Sequence, residues 1–313
     1  MADRVAGGQA HRLGERRWSD AARARRPAVD LRLREEAAPE KVEEGERAGE
    51  PAASDADPFG LDLEFRERVV PFFRFLFERY WRVEVKGLKR IPATGPAILV
   101  ANHSGALPFD GTMIITAVRL AHPHPRPVRF LYDSFVDNLP GVRTFYRRVG
   151  GVTASYANTA RLLAAGHLVM TFPEGVAGVA KLFTERYRLR PFSSSFVRLS
   201  LTHRAPIIPV AVVGAEEAYP LVARLEEAGR LFGVPYIPVT PFFPLLGVVG
   251  ALPLPTKWFI RFGKPIELYK MPTRDGAMNP ALYPPRELAR RVRRRVAGMV
   301  TRLRRRRQSI FFG

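Results

Sequence analysis

The sequence predicts an α/β protein with a mostly parallel central sheet flanked by helices. The first observation is a series of apolar runs without polar alternation, typical of strands buried on both faces. These runs cover residues 97–102, 126–134, 167–175 and 205–215. The second observation is that helical patterns separate the runs, over residues 111–121 and 156–166, with Gly166 as the expected C-cap of the second helix. Strands alternating with helices indicate parallel crossovers.

Two segments precede this pattern. Residues 1–34 carry a net charge of +5, residues 35–57 carry −7, and neither shows a hydrophobic period, so we expect a disordered extension over 1–57. No apolar run follows the N-terminal charges, which argues against a cleavable signal peptide. Residues 58–84 then predict an amphipathic helix rich in aromatic residues and arginine, interrupted by Pro71. This composition suits a membrane interface, and a helix packed on the domain core is equally compatible.

The composition excludes several chemistries. The chain has 313 residues and no cysteine, which rules out disulfides, thiolate zinc sites, iron–sulfur clusters and a cysteine nucleophile, and we expect no bound metal. Lysine and arginine number 50 against 30 acidic residues, a formal charge of +20. Such a charge favours a polyanionic partner, either nucleic acid or an anionic membrane surface.

The C-terminal part of the chain offers two further candidates for membrane contact. Residues 286–307 hold eleven arginines and one glutamate. An apolar stripe recurs there at helical spacing, at Leu288, Val292, Val296, Met299 and Leu303. We therefore predict a basic amphipathic helix within 271–313 that lies on anionic lipid, with residues 310–312 as an added anchor.

An uncharged stretch over 231–256 contains six prolines, which exclude a regular helix there, so no transmembrane helix is expected. Its apolar part, over 241–255, can line an acyl-chain groove, enter the membrane interface or cross the core. The α/β domain is expected over 85–270, between the N-terminal helix and the basic C-terminal region. The oligomeric state stays open.

Polar residues follow two of the predicted strands, where parallel sheets collect their chemistry. Asn102-His103-Ser104-Gly105 and Asp110 follow the first, and Phe172-Pro173-Glu174-Gly175 follow the third. A histidine can accept a proton from a hydroxyl group, and a carboxylate on its other ring nitrogen fixes the tautomer. His103 and Asp110 meet only if the chain turns back, which Gly105 and Pro108 permit. The alternative is that Asp110 caps the helix over 111–121 and His103 is a polar turn residue.

Together the two blocks, NHSGALPFDG and FPEG, resemble the glycerolipid and lysophospholipid acyltransferase superfamily. That superfamily pairs an Asn-His…Asp motif with a later Phe-Pro-Glu-Gly block. The similarity spans roughly residues 85–265, and the Gly-x-x-Pro-x-Asp form of the first motif is closer to the branch related to diacylglycerol acyltransferases.

The resemblance implies acyl transfer from a thioester to a lipid hydroxyl, without a cofactor and without an acyl-enzyme. Acyl-coenzyme A or an acylated carrier protein would be the donor substrate. His103 would be the general base and Asp110 would orient it. Backbone N–H groups near Gly175 would help to stabilise the oxyanion. The implied substrate-binding residues are Asn102, Ser104, Gly105, Phe172, Pro173, Glu174, Gly175 and Lys181.

Departures from the family pattern bear on the acceptor. Val176-Ala177 replace the Thr-Arg that follows Glu-Gly in the phosphate-reading enzymes, and the sequence over 150–155 lacks the expected arginine. Arginine suits a phosphate because its planar fork binds two oxygens, so the departures favour a neutral or bulky lipid alcohol. The expected location is the cytoplasmic face of a membrane, as a peripheral or monotopic protein, with no nucleic acid bound. The alternative is a non-enzymatic basic protein that binds membranes or nucleic acid.

Overall fold

The computed structural model describes residues 57–105, 107–271 and 283–313. The predicted extension over 1–57 lies outside the described residues except for Asp57. Nine α-helices occur in the described residues: α1 Leu63–Phe75, α2 Phe109–Ala121, α3 Val142–Arg148, α4 Tyr156–Ala164, α5 Val176–Val179, α6 Ser195–Thr202, α7 Ala215–Ala218, α8 Glu226–Leu231 and α9 Pro285–Arg306. A π-helical turn, Leu76–Tyr80, continues α1.

Nine strands are present in the same residues: β1 Glu84–Lys86, β2 Ala97–Ala101, β3 Val128–Tyr132, β4 Gly151–Thr153, β5 Leu168–Thr171, β6 Ile207–Val213, β7 Ala223–Leu225, β8 Ile237–Val239 and β9 Phe259–Phe262. Seven of them form one sheet in the order β1-β9-β6-β2-β5-β3-β4. Within this sheet the pairs between β2, β3, β4, β5 and β6 are parallel and the β6–β9 pair is antiparallel, whereas β7 and β8 form a separate antiparallel pair. The prediction of a mostly parallel sheet flanked by helices is confirmed.

Helices cover both faces of this sheet. Leu99 of β2 packs with Met113 and Ile114 of α2 on one face. Ile98, its neighbour in the strand, packs with Leu162 of α4 and Val292 of α9 on the other. Successive strand residues point to opposite faces, so a strand with both faces covered reads as a continuous apolar run. This burial explains why the four predicted strands lack polar alternation.

The second predicted helix ends as its sequence indicates. Gly166 lies just beyond α4 with φ of +77°, and its N–H donates to the carbonyl of Leu163 at 3.0 Å. Glycine adopts this left-handed conformation without a steric penalty from a Cβ atom.

The C-terminal helix differs from its prediction. Its apolar stripe is buried against the domain, with Val292 and Val296 fully inaccessible and Leu303 only 9% exposed. Val296 packs with Ala211 and Val213 of β6. The expectation that this stripe lies on lipid is therefore wrong, because the sheet offers it an apolar surface of the same domain. No described helix is both long enough and apolar enough to cross a membrane.

Asp57 also departs from the predicted boundary. Its carboxylate pairs with the fully buried guanidinium of Arg129 on β3, where Nη2 donates to Oδ1 at 3.0 Å. It also accepts the backbone N–H groups of Phe59 and Leu61. Asp57 thus belongs with the domain and not with the extension, because an arginine inside the domain requires a counter-charge.

Candidate active site

The end of β2 is fixed by a side chain that spans two strands. Asn102 is completely buried and exchanges two hydrogen bonds with the backbone of Val212 in β6, at 3.1 and 2.8 Å. These bonds extend the β2–β6 ladder by one residue and set the direction in which the chain leaves the sheet. In this structure the Asn102 side chain therefore links β2 to β6 at the point where the chain continues to His103.

His103 and Asp110 are brought together by the turn between β2 and α2. The Nδ1 atom of His103 lies 2.7 Å from Oδ2 of the fully buried Asp110. The same carboxylate accepts the backbone N–H groups of Ser104 at 2.8 Å and Gly111 at 2.7 Å. Asp110 lies in the first turn of α2, whose N-cap position is Pro108, so the alternative of an Asp110 cap does not hold.

Glycine makes this turn possible. Gly105 has φ of +84°, and an added Cβ would lie 3.2 Å from the carbonyl oxygen of Ala215. The turn that brings His103 and Asp110 together therefore favours glycine at position 105, where a side chain would be strained. Ala106 of the motif lies outside the described residues.

The neighbouring strand supplies the next part of the site. β5 pairs with β2 in parallel, so Phe172 and Glu174 leave the sheet beside His103. The Phe172 ring stacks on the His103 ring with 4.0 Å between centroids and 19° between planes. One face of the imidazole is therefore covered by an apolar ring, which limits its freedom to rotate.

Glu174 is buried and fully engaged with the protein. Its Oε1 accepts the backbone N–H of His103 at 2.9 Å, and its Oε2 accepts the N–H of Arg190 at 2.6 Å. Lys181 Nζ lies 3.6 Å from the same Oε2. These contacts hold the His103 backbone in place, which makes Glu174 a positioning residue in this geometry.

Lys181 lies in a buried network of charges and not on a surface that phosphate reaches. Its Nζ donates to Oε1 of Glu216 at 2.7 Å. Burial raises the pKa of Glu216, although Lys181 and the N–H of Tyr187 act in the opposite direction. The network continues through the Tyr187 hydroxyl, which donates to Glu217, to Arg307, whose guanidinium lies 3.1 Å from Glu217.

The remaining candidates are Ser104, Pro173 and Gly175. The Ser104 hydroxyl is buried and has no hydrogen-bond partner in the described part of the chain. Pro173 accepts the N–H of Ser193 through its carbonyl at 3.0 Å. Gly175 has φ of +56°, and its own N–H donates to the carbonyl of Phe172, so that N–H is not free for an oxyanion.

Sequence reasoning missed Gly178. A Cβ at this position would lie 2.7 Å from Cβ of His103 and 2.8 Å from Cβ of Glu174. Such distances are too short for carbon atoms, so only glycine lets α5 approach both residues. No local sequence pattern marks Gly178, because its close approach to His103 and Glu174 arises only in the folded chain.

A cavity of about 540 Å³ opens beside His103. Its walls are mostly aliphatic and aromatic and come from α1, α2, β3, α3 and residues 234–238. Val69, Val70 and Phe73 of α1 line it, whereas Phe72 and Phe75 on the same helix are more than half exposed. One face of this helix therefore contacts the domain, and the other face is exposed. None of the described side chains of residues 241–255, for which one predicted role is to line an acyl-chain groove, lines this cavity, whereas residues 234–238, which precede them, do.

Comparison with known proteins places the chain in a family. The acyltransferase family profile matches residues 82–213. An uncharacterised protein of Mycobacterium leprae is 45% identical over 82% of this chain and 70% of its own length. The DGAT1/2-independent enzyme synthesizing storage lipids of Homo sapiens is 27% identical over 52% of this chain and 49% of its length.

Among solved structures, the 1-acyl-sn-glycerophosphate acyltransferase of Thermotoga maritima is 19% identical with a TM-score of 0.49, covering 79% of this chain and 84% of its own. The identity to the mycobacterial relative and the profile match cover both motifs of the site. The chain belongs to the acyltransferase family.

Proposed function

We propose that the protein moves a fatty acyl group from an acyl thioester to the hydroxyl group of a lipid. The observation that carries this proposal is the state of the His103 ring. Its Nδ1 is held by the buried Asp110, and its Nε2 has no partner among the described residues, at the wall of an apolar cavity. An oriented imidazole with one free nitrogen is the arrangement that a general base needs.

The reaction follows from that arrangement. Nε2 of His103 accepts the proton of the acceptor hydroxyl as its oxygen attacks the thioester carbonyl carbon. The tetrahedral intermediate collapses, the carbon–sulfur bond breaks, and the imidazolium returns its proton to the departing thiolate. Asp110 stabilises the imidazolium because its carboxylate faces Nδ1–H. No cofactor and no covalent acyl-enzyme enter this scheme, and acyl-coenzyme A or an acylated carrier protein serves as donor.

The cavity suits a fatty acyl chain. Its volume of about 540 Å³ falls in the range of ligand pockets, and its aliphatic and aromatic walls match hydrocarbon. An acyl chain lying in it presents its thioester beside His103. Among the implied substrate-binding residues, Phe172 and Gly175 line this cavity.

The electrostatics favour a neutral acceptor. The arginines that line the cavity are Arg66, Arg119 and Arg126. Arg119 donates to both oxygens of Glu67, and Arg126 donates to two backbone carbonyls. Lys181 is occupied by two carboxylates. Nη2 of Arg66 donates to Oε1 of Glu67 at 3.3 Å, although its buried Nε has no partner among the described residues. Because a phosphate gains most from an arginine fork and two of the three forks are engaged by the protein, we propose diacylglycerol or a long-chain alcohol as acceptor. The human relative, named as an enzyme that synthesizes storage lipids, is consistent with that class of acceptor.

We propose peripheral association with an anionic, cytoplasmic membrane surface. Exposed Phe72 and Phe75 lie on α1, and the outer face of α9 carries arginines such as Arg291 and Arg294. Aromatic side chains favour the interface, and arginines favour anionic headgroups. For α9 this attraction is electrostatic alone, because its apolar stripe is buried.

The test is product formation by the full chain with radiolabelled acyl-coenzyme A or acylated carrier protein. Diacylglycerol, a long-chain alcohol and lysophosphatidate are offered in mixed micelles, with heat-inactivated protein as the blank. We expect the two neutral acceptors to be acylated at least about tenfold faster than lysophosphatidate, which corresponds to about 1.4 kcal/mol in the barrier. Preference for lysophosphatidate would overturn the acceptor. Failure with every donor and acceptor would favour the non-enzymatic alternative.

A further inference from the structure

The residues from Thr240 to Thr256, called here the proline loop, form an apolar projection from the domain. No charged residue occurs between 231 and 256. Within the loop Leu245 is 85% exposed, Val249 67% and Leu252 63%. Apolar side chains clustered in one exposed segment mark a surface that meets an apolar environment.

The loop is closed on itself. The N–H of Leu246 donates to the carbonyl of Phe242 at 2.8 Å, and the N–H of Thr240 donates to the carbonyl of Phe243 at 2.9 Å. A Cβ at Gly250 would lie 2.2 Å from the carbonyl oxygen of Phe242, so the backbone closes there only with glycine. The apolar side chains are therefore displayed by an ordered backbone.

Aromatic residues of the domain hold the far end of the loop. The Tyr80 hydroxyl donates to the carbonyl of Pro253 at 2.5 Å, and Trp81 Nε1 donates to that of Leu254 at 3.0 Å. The Tyr219 hydroxyl donates to the carbonyl of Ala251. Inward-facing carbonyls are thereby satisfied, and the apolar side chains remain outside.

Arg82 joins this loop to the C-terminal aromatic residues. Its guanidinium donates to the carbonyls of Tyr80, Pro255 and Phe311. Phe312, next along the chain, is 88% exposed. Exposed Arg79 lies on the adjoining π-helical turn, so cationic groups border the apolar surface.

The polar groups of the loop indicate which partner fits. Its two side-chain hydroxyls, on Thr240 and Thr256, are both buried, and Thr256 donates to the carbonyl of Gly214. The exposed side chains thus offer no hydrogen bond. Protein interfaces form about one hydrogen bond per 100–200 Å², whereas the interior of a lipid leaflet requires none.

From these observations we propose that the proline loop inserts its exposed leucines and valine into one leaflet of an anionic bilayer. β8 links the loop to residues 234–238, which line the cavity beside His103, so insertion places that cavity close to the leaflet. The inference rests on the proposed function only in taking membrane lipids as substrates. Arginines around the loop contact the headgroups while its apolar crest enters the acyl region.

The test is vesicle co-sedimentation of the full chain with 7:3 phosphatidylcholine and phosphatidylglycerol. The Leu245→Asp, Leu246→Asp double variant is compared with Leu245→Met, Leu246→Met, which keeps the apolar character. We expect the aspartate pair to lower the partition coefficient at least about tenfold, because two apolar side chains that leave water on insertion are replaced by charged ones. The methionine pair stays within twofold of the parent. Equal binding by the aspartate and methionine pairs would overturn the proposal.

Two further measurements separate this proposal from its rivals. Gel filtration asks whether the loop joins two copies of the chain, and a change of oligomeric state with unchanged vesicle binding would refute lipid insertion. Transfer from a short-chain thioester to a water-soluble alcohol, without vesicles, tests the chemistry alone. We expect the aspartate pair to retain this activity and lose transfer to vesicle lipids. An inactive parent with normal vesicle binding would refute the enzymatic function and leave the loop proposal standing.

Discussion

The apolar stripe of α9 is buried, whereas the apolar side chains of the proline loop are exposed. Val292, Val296 and Leu288 of α9 are at most 2% exposed, although the helix carries ten arginines. Leu245 and Val249 of the loop are largely exposed, although no charge lies near them in sequence. The charged segment hides its apolar side chains, and the uncharged segment displays them.

The difference shows what a hydrophobic period establishes. A period of 3.6 residues indicates that one helical face leaves water, and it does not distinguish a bilayer from a sheet of the same domain. The strand β6 supplies that surface for α9. The prolines of the loop prevent a regular α-helix and limit backbone pairing, so its side chains find no comparable surface inside the domain.

The largest expected contrast comes from placing a charge in each region. Val296→Asp buries a carboxylate without a partner, and we expect it to lower the free energy of unfolding by more than about 4 kcal/mol or prevent folding. Leu245→Asp, its matched control, remains within about 0.5 kcal/mol of the parent because its side chain stays in water. Urea unfolding followed by circular dichroism measures both. Equal stability of the two variants would contradict the packing of α9 on the sheet.

A smaller contrast compares buried and exposed arginines. Asp57→Ala leaves Arg129 buried without its carboxylate, and we expect a loss of about 3 kcal/mol in unfolding free energy. Arg294→Ala on the exposed face of α9 costs less than about 0.5 kcal/mol. Burial alone would raise the pKa of Asp57, but its bonds from Arg129 and two backbone N–H groups outweigh burial and lower the pKa.

The ion pair between Asp57 and Arg129 also predicts how the free energy of unfolding depends on pH. Because its folded pKa is lowered from 3.8, Asp57 contributes stability above that value and loses the contribution as pH falls through the folded pKa. The stability difference between the parent and Asp57→Asn therefore shrinks below about pH 3.8. A difference that stays constant into strong acid would show that the ion pair is not its source.

The sequence was sufficient for four strands of the sheet, β2, β3, β5 and β6, for the mostly parallel arrangement and for the candidate pair His103 and Asp110. These features could be predicted from the local sequence. Buried strands are continuous apolar runs, and the motif residues directly follow the ends of such runs. Other features depend on contacts distant in sequence. Arg129 meets Asp57 across 72 residues, and Lys181 meets Glu216 across 35. No local period records such a pairing, and Gly178 is required only because His103 and Glu174 converge on it.

The most direct test of the central claim is a double-mutant cycle on acyl transfer, with His103→Ala, Asp110→Asn and the combination measured as kcat/KM. The account predicts that His103→Ala lowers kcat/KM by about 10²–10⁴-fold, the range of general-base catalysis. Adding Asp110→Asn to it changes kcat/KM less than about threefold, because Asp110 acts through the imidazole that is already absent. A His103→Ala protein with kcat/KM close to that of the parent, or fully additive losses, would contradict the account.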